Sequence, residues 1–516
     1  MTDDARTELA AIERDIAARR PEHAIEPSLD RIIALTSLLG DPQRAYPIVH
    51  ITGTNGKTST ARMTETLLRV RGLRTGLFTS PHLVSMRERI CIDGQPLAAD
   101  RFIEVYRELE PYLKLVDEDQ QVPLSFFEVL TAMGFAAFAD APVDVAVIEV
   151  GMGGTWDNTN VADGVVAIVT PISIDHAKYL GDTVAKIAAD KAGIIKPGAV
   201  AVLGQQPVDA AAALIRRAVK VGASVAREGI EFGVLSRELA VGGQRLSLKG
   251  LLGEYHDLFL PLFGAHQAGN AACALAAVEA FSGASGSPDA LLLGSDLDGD
   301  DDSDGDDGAD GSADFADMGL EPANGDGLRP GPVRAGSVAL DDDIVRTAFA
   351  TVSSPGRLEI VRRSPVVVID AAHNPAGMAV TMTAMAEAFG PAEIIAVIAA
   401  MADKDVAGIL AELEPFVAGI VVTTNSSPRS MPAAELGQLA ASLFGADRVH
   451  EAGRLDDAIE LAVGLADEAS DALGGPLAGL VEDGATSPLA AAGTVVLITG
   501  SVYTAGEARL LLRGEE

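Results

Sequence analysis

The sequence predicts an α/β protein: an N-terminal phosphate-loop domain with a mainly parallel sheet, then a smaller C-terminal Rossmann-like α/β domain. Three observations carry that expectation. Short buried apolar runs alternate with helical patterns as far as Val219, the arrangement produced when helices cover both faces of a parallel sheet. A second alternating series begins at Val366. Between them lies an Asp-, Gly- and Ser-rich stretch too poor in apolar residues to build a core. At 516 residues the chain is also too long for one typical core. The expected division is 1–283 for the first domain, 284–337 for a disordered acidic insert, and 338–516 for the second domain.

The first residues, MTDDARTELAAIERDIAARR, read as an amphipathic helix with Leu9, Ile12 and Ile16 on one face. Pro27-Ser28 opens a second helical pattern that stops at Gly40. Pro47 to Thr52 is an apolar strand that runs into Gly53-Thr54-Asn55-Gly56-Lys57-Thr58. A strand, a glycine-bracketed turn and a helix start direct backbone N–H groups at an anion, and Lys57 adds a positive charge. The spacing is not a strict Walker A motif, which would need glycine at Ile51. The competing reading is an ordinary βα turn with a solvated lysine. The hydroxyls after Lys57 favour phosphate, and hence a P-loop ATPase type of N-terminal domain.

A helix follows from Thr58 to Val70, then a strand from Thr75 to Thr79 ending at Ser80-Pro81-His82-Leu83. A helix over 101–114 and the apolar helix LSFFEVLTAMGFAAFA precede the strand Asp144 to Val150. The strand Val165 to Thr170 leads to Ser173-Ile174-Asp175-His176, and a helix then carries Lys191. Ala199 to Gly204 and Val208 to Val219 complete the series as strand and helix. Residues 226–262 switch to short alternating segments, expected as a small β annex, and the helix Gln267 to Ala280 closes the domain. Beyond the acidic stretch come a helix, Val345 to Val352, and a break at Ser353-Ser354-Pro355-Gly356-Arg357. Val366–Ile369, Ile394–Ile398, Ile420–Thr424 and Val495–Thr499 are the expected strands of the second sheet. A Gly/Ala/Pro-rich stretch at 468–492 reads as a second flexible insertion.

The formal charge of −35 argues against a nucleic-acid or acidic-membrane partner. Thirteen of the acids lie between Gly294 and Gly327 without a single Lys or Arg, so the rest of the chain keeps −22. Any anionic substrate must therefore meet a local positive site. Asp300 to Gly305 matches the first half of a calcium loop, but Gly311 stands where a bidentate Glu is needed, so the insert is read as disordered. No apolar run has membrane-spanning length, and the start does not resemble a secretory signal. Two cysteines, Cys91 and Cys273, fit a reducing compartment, and a cytoplasmic protein is expected.

Three strands of the first series end on polar residues: Thr79-Ser80, Glu149 and Asp175-His176. The carboxyl edge of an open α/β sheet is where ligands bind. A hydroxyl, a carboxylate and an imidazole beside a phosphate loop suit Mg²⁺, although the imidazole is unusual among its oxygen ligands. Taken singly, Ser80 reads as a turn residue, Glu149 as a helix cap and His176 as a core histidine.

Ten motifs now occur in one order: GTNGKT, TSPHL, EVGMGGTWDNTN, DHAKYLG, DKAGIIKPG, HQAGNAACALAA, SSPGRLE, DAAHNP, MADKD and TGSVYTAGEA. The series resembles the bacterial folylpolyglutamate synthase/dihydrofolate synthase family of the Mur ligase superfamily. It covers the chain from about residue 20 to the end, apart from the insertions. The resemblance implies an ATP-dependent ligase that adds L-glutamate to dihydropteroate and to reduced folates through an acyl phosphate. It implies that Thr54, Asn55, Gly56 and Lys57 hold the ATP phosphates with Thr58 auxiliary, and that Asn270, Arg357 and Asp370 also contact ATP. Ser80, Glu149 and His176 match the Mg²⁺ ligands. Lys191 matches a lysine that is carbamylated in the family and would then serve a second Mg²⁺. Phe127 and Asp157 match the pterin site, and His373 and Ser501 match positions near the incoming glutamate. Lys57, Lys191, His176 and His373 are the implied catalytic residues.

The sequence departs from the family pattern at Trp156, Asn158, Lys178 and Asp190, none of them an implied ligand. Alternatives are a folylpolyglutamate synthase alone, or a Mur-type amino-acid ligase. About fifty residues precede the phosphate loop, too few for the UDP-binding domain usual in the latter. A phosphate-loop regulatory module would need no second domain bearing Arg357, Asp370 and His373. The expected partners are small molecules, with the chain acting as a monomer.

Overall fold

A computed structural model describes residues 3–21, 26–284, 339–390, 392–472 and 493–514. The acidic insert expected at 284–337 lies outside the described residues apart from Ala284. The stretch expected at 468–492 does so from 473 onward, residues 468–472 continuing the helix Leu455–Ala472.

The first sheet has eight strands: β1 (Ile48–Thr52), β2 (Thr75–Phe78), β3 (Ile90–Ile92), β4 (Gln95–Pro96), β5 (Val145–Glu149), β6 (Gly164–Val169), β7 (Val200–Leu203) and β8 (Ser224–Arg227). Their order is β4-β3-β2-β5-β1-β6-β7-β8. From β2 to β8 neighbours run parallel, while β3 and β4 turn back antiparallel at one edge. β1 and β5 are buried at every position, as a central parallel strand covered on both faces must be. On one face Met63 and Leu67 of the helix Lys57–Val70 pack with Leu275 and Val278 of the helix Ala265–Ala284. On the other, Phe102, Leu109, Leu130 and Phe138 pack beneath Ile12, Ile16 and Ile32 of the two N-terminal helices.

A small antiparallel sheet follows: β9 (Gly233–Ala240), β10 (Gly243–Lys249) and β11 (Glu254–Leu260), in the order β11-β10-β9. The annex expected at 226–262 is thus present. Its first residues belong elsewhere, since β8 extends the main sheet.

The second sheet contains β12 (Glu359–Arg363), β13 (Val366–Ile369), β14 (Glu393–Ile398), β15 (Val417–Val422), β16 (Val449–Glu451) and β17 (Thr494–Thr499), in the order β12-β13-β17-β14-β15-β16. Only β12 is antiparallel. The four expected strands are its buried centre. β12 and β16 were not expected, because a charged edge segment (EIVRR) and a three-residue strand (VHE) show no apolar run.

The expected boundary at 338 needs correction. Leu340, Val345, Ala348, Phe349 and Val352 belong to the apolar cluster of the first sheet, with Met63, Leu258 and Phe281. The helix Asp342–Thr351 therefore packs on the N-terminal unit, and the second unit begins near Ser353. An amphipathic helix between two domains carries no mark of which core will take its apolar face.

Candidate active site

β1 delivers the loop Gly53 to Thr58. Gly53 has φ +148° and Gly56 φ +87°, and close approach as well as dihedral excludes a side chain at both. A Cβ at Gly53 would fall 1.8 Å from Thr170 Oγ1, and one at Gly56 would fall 2.5 Å from Asn270 Oδ1. Asn270 thus lies against the loop, and its Nδ2 donates to Gln267 Oε1 at 3.1 Å. Thr54 Oγ1 donates to Ser173 O at 3.0 Å, which ties the loop to the segment after β6. No side chain caps the helix Lys57–Val70 at Gly56, so its first N–H groups face the loop.

Lys57 Nζ donates to Gly53 O at 3.2 Å and Thr54 O at 3.1 Å, and Lys191 Nζ donates to the same Gly53 O at 2.8 Å. Burial lowers the Lys57 pKa, against the opposing pull of Glu149 and Asp175. Burial and then the Lys57 charge bring Lys191 down to about 7.

Glu149 ends β5, 1% exposed. Its Oε1 accepts from Thr58 Oγ1 at 2.9 Å and its Oε2 from the Ser80 amide at 3.3 Å. Burial raises its pKa, while Lys57, Thr58 and Ser80 work the other way. His176 stands at φ +53°, its Nε2 3.8 Å from Asp175 Oδ2. Burial lowers its pKa to about 4, so the ring is neutral and keeps a lone pair. One buried carboxylate with hydroxyl-bearing Thr58 and Ser80 against it fits magnesium, which takes few protein ligands and leaves room for phosphate oxygens. Among the described residues no three His, Cys, Asp or Glu converge in a protein-only metal cage.

Phe127 is buried, 5.9 Å centroid to centroid from Phe78. A Cβ at Gly151 would meet Phe127 Cζ at 2.6 Å and Asp157 Oδ2 at 3.2 Å, so these three residues share one wall. The Asp157 carboxylate accepts from the Met152 amide at 2.9 Å, the Thr159 amide at 2.9 Å and Thr159 Oγ1 at 2.5 Å. It is therefore pinned before any ligand is considered.

The second unit faces this edge. The charge of Arg357 pulls the pKa values of both Glu149 and Asp370 down against burial, which raises them. Asp370 accepts from the Leu358 amide at 3.0 Å, the Ala372 amide at 2.9 Å and Thr381 Oγ1 at 2.9 Å. His373 Nδ1 lies 3.0 Å from Ala371 O, and burial holds the ring neutral with a pKa of about 4. Ser501 caps the helix Val502–Arg513 and bonds to Asn425 and Thr504, a network separate from that of His373.

Direct bonds cross between the units. Asn374 Nδ2 donates to Asn55 Oδ1 at 3.3 Å and to Asp175 Oδ2 at 3.1 Å, and Lys404 Nζ donates to Asp175 Oδ1 at 3.2 Å. Burial alone would raise the Asp175 pKa, but His176, Lys404 and His373 together hold it well below the usual carboxylate range. Asn374 and Lys404 were absent from the expected site, and Asp175 stood at its edge without an assigned role. Each stood inside a recognised motif, and only the packing of the two units gives them a shared role.

Two family descriptions match the chain: the Mur ligase middle domain over residues 122–278, and the Mur ligase glutamate ligase domain over 356–473. A dihydrofolate synthase/folylpolyglutamate synthase of Mycobacterium tuberculosis is 46% identical, with 99% of this chain and 95% of that protein aligned. A folylpolyglutamate synthase of Lacticaseibacillus casei is 32% identical over 94% of each chain. A solved structure of Mycobacterium tuberculosis folylpolyglutamate synthase complexed with ADP superposes with a TM-score of 0.82 at 45% identity, covering 99% of both chains. Likeness of this extent and a site assembled from the same ordered motifs have one meaning: the chain belongs to the dihydrofolate synthase/folylpolyglutamate synthase family of the Mur ligases.

Proposed function

We propose that the chain is an ATP-dependent ligase that joins the amine of L-glutamate to the carboxylate of dihydropteroate and of reduced folates. The observation that carries this reading is the meeting of charged groups from both units: Glu149, Asp175, Arg357 and Lys404 all act on Lys57, and Asn374 and Lys404 bond across to Asn55 and Asp175.

A carboxylate is a poor electrophile. In the first step one of its oxygens attacks the γ-phosphorus of ATP, and ADP leaves with the bonding pair. The glutamate amine then attacks the acyl carbon, phosphate leaves, and the amine loses a proton. Positioning and charge neutralisation dominate such chemistry. Lys57 would exchange its bonds to the Gly53 and Thr54 carbonyls for phosphate oxygens, beside the amides of Thr54 to Thr58. Asn270, Arg357 and Asp370 would complete the nucleotide site from both units. Phe127 and Asp157 would receive the pterin, while His373 and Ser501 would face the glutamate. As a neutral imidazole, His373 can accept a hydrogen bond from the amine.

Magnesium held by Ser80, Glu149 and His176 would supply the charge that lets two anions approach. A lysine reacts with CO₂ as the free amine, and a pKa of about 7 leaves a large neutral fraction of Lys191 at physiological pH. Its carbamate would offer oxygen to a second Mg²⁺. The proposed units are 3–352 and 353–514, working in a cytoplasmic monomer. Among the described residues no helix is long and apolar enough to cross a membrane.

Purified protein incubated with ATP, Mg²⁺, L-glutamate and either dihydropteroate or a reduced folate tests the reading. Phosphate release and a product heavier by one glutamyl unit are expected with each acceptor. Release with the folate alone would reduce the activity to folylpolyglutamate synthesis, and release with neither would reject it.

A further inference from the structure

The histidine on the strand that carries the phosphate loop makes its hydrogen bond away from that loop. His50, in the middle of β1, is fully buried, and its Nε2 lies 2.8 Å from Thr159 Oγ1. Thr159 Oγ1 donates in turn to Asp157 Oδ1 at 2.5 Å, and the Thr159 amide donates to the same oxygen at 2.9 Å. A hydroxyl has one proton to give. With that proton directed at Asp157, the imidazole must be the donor, so His50 carries its own proton on Nε2. Nδ1 is then a bare acceptor, buried and without a hydrogen-bond partner among the described residues.

A histidine selected for packing alone would not be built this way. An unpaired buried nitrogen is a cost that an aliphatic or phenyl side chain at position 50 would not carry. Burial and, after it, the charge of Lys196 lower the His50 pKa to about 3, so the ring stays neutral. It can thus orient the hydroxyl without placing a cation behind Asp157.

We propose that His50 and Thr159 are positioning residues for the acceptor: a buried relay from His50 Nε2 through Thr159 Oγ1 to Asp157 Oδ1 that turns Oδ2 toward the Gly151–Phe127 wall and so sets the affinity for the pterin. The inference rests on the reading of Asp157 as a pterin-binding residue. It also gives β1 two tasks, since the strand that ends in the phosphate loop backs the acceptor carboxylate as well.

Thr159→Val keeps the side-chain shape and removes the hydroxyl. The expected result is a rise of about tenfold in KM for dihydropteroate, with kcat and the KM values for ATP and glutamate nearly unchanged and Tm lowered, because the buried His50 Nε2–H loses its acceptor. Thr159→Ser should return KM to within about twofold of the parent. On an Asp157→Ala background, Thr159→Val should add nothing, because it acts through Asp157. Additive effects, or a parallel worsening of all three KM values, would overturn the relay. If Asp157→Ala raises KM and Thr159→Val does not, the relay alone is refuted. If Asp157→Ala leaves KM unchanged, the pterin-site reading is refuted and the relay with it. Should Thr159→Val fail to fold, His50→Gln against His50→Leu decides. The glutamine amide can donate from near the place of Nε2, so equal KM values for those two variants would reject the proposal.

Discussion

Lys57 Nζ and Lys191 Nζ converge on a single carbonyl oxygen, that of Gly53, from 3.2 and 2.8 Å. Two buried ammonium groups on one acceptor repel each other, and the repulsion is part of what brings Lys191 down to about 7, after burial. Replacing Lys57 by Met should raise the Lys191 pKa and remove the cation that would balance a carbamate. We expect less carbamate at neutral pH, measured as the carbonyl signal in ¹³C NMR with labelled bicarbonate. Turnover should fall at least about a hundredfold, the scale for losing a charge-stabilising donor at a reacting phosphate. An unchanged kcat would refute the role of the loop.

The same shift predicts how stability depends on pH. The folded pKa of Lys191, about 7, lies below the ordinary lysine value of 10.5. Above that ordinary value the amine is neutral whether folded or unfolded, and its burial carries no ionisation penalty. As pH falls toward 7 the unfolded chain takes up a proton that the native state does not, and native stability declines. Below about 7 both states are protonated and the penalty levels off. In CO₂-free buffer, Lys191→Met should therefore stabilise the protein more at pH 7 than at pH 9.5, as read by urea unfolding. The opposite order would mean that Lys191 is not held as a depressed amine.

Asn374 serves two structures at once. Its Oδ1 caps the helix Pro375–Phe389 by accepting from the Gly377 amide at 2.7 Å, and its Nδ2 crosses to Asn55 and Asp175. Asn374→Ala should lose the cap, about 1 kcal/mol, and the crossing bonds as well. Asn374→Ser keeps the cap alone. A similar drop in kcat for both variants, with Tm lowered only in the alanine variant, would identify the crossing bonds as the functional part. Full activity in Asn374→Ser would show that the bonds to Asn55 and Asp175 do not matter for turnover.

Arg31 Nε lies 2.9 Å from Glu128 Oε1, and both side chains are buried. Glu128 also closes a capping box by accepting from the Ser125 amide at 2.7 Å. Glu128→Ala leaves Arg31 buried without this carboxylate and should destabilise the protein by roughly 3–5 kcal/mol. Measured by urea unfolding, a loss below about 1 kcal/mol, the scale of a surface ion pair, would show that water reaches Arg31.

By itself the sequence determined the strands at the centre of both sheets, the glycine-bracketed loop after β1 and the polar residues that follow β2, β5 and β6. These features are local. A buried parallel strand is a continuous apolar run, and a phosphate loop is a few consecutive residues with glycine where φ is positive. Ser80, Glu149, Asp370, His373 and Ser501 were legible for the same reason, because each stands within a few residues of a strand end, whereas Phe127, Lys191 and Asn270 lie in helices and were expected only from the family resemblance.

Tertiary structure decided the rest. The edge strands β12 and β16 exist only because a neighbouring strand offers them backbone partners. The helix Asp342–Thr351 joined the first core because that core had apolar surface for Phe349 to cover. Asp175 met Lys404, and His50 met Thr159, across 229 and 109 residues of chain. Such pairings depend on burial and on how folding brings distant stretches of chain together, and no spacing along the chain encodes them.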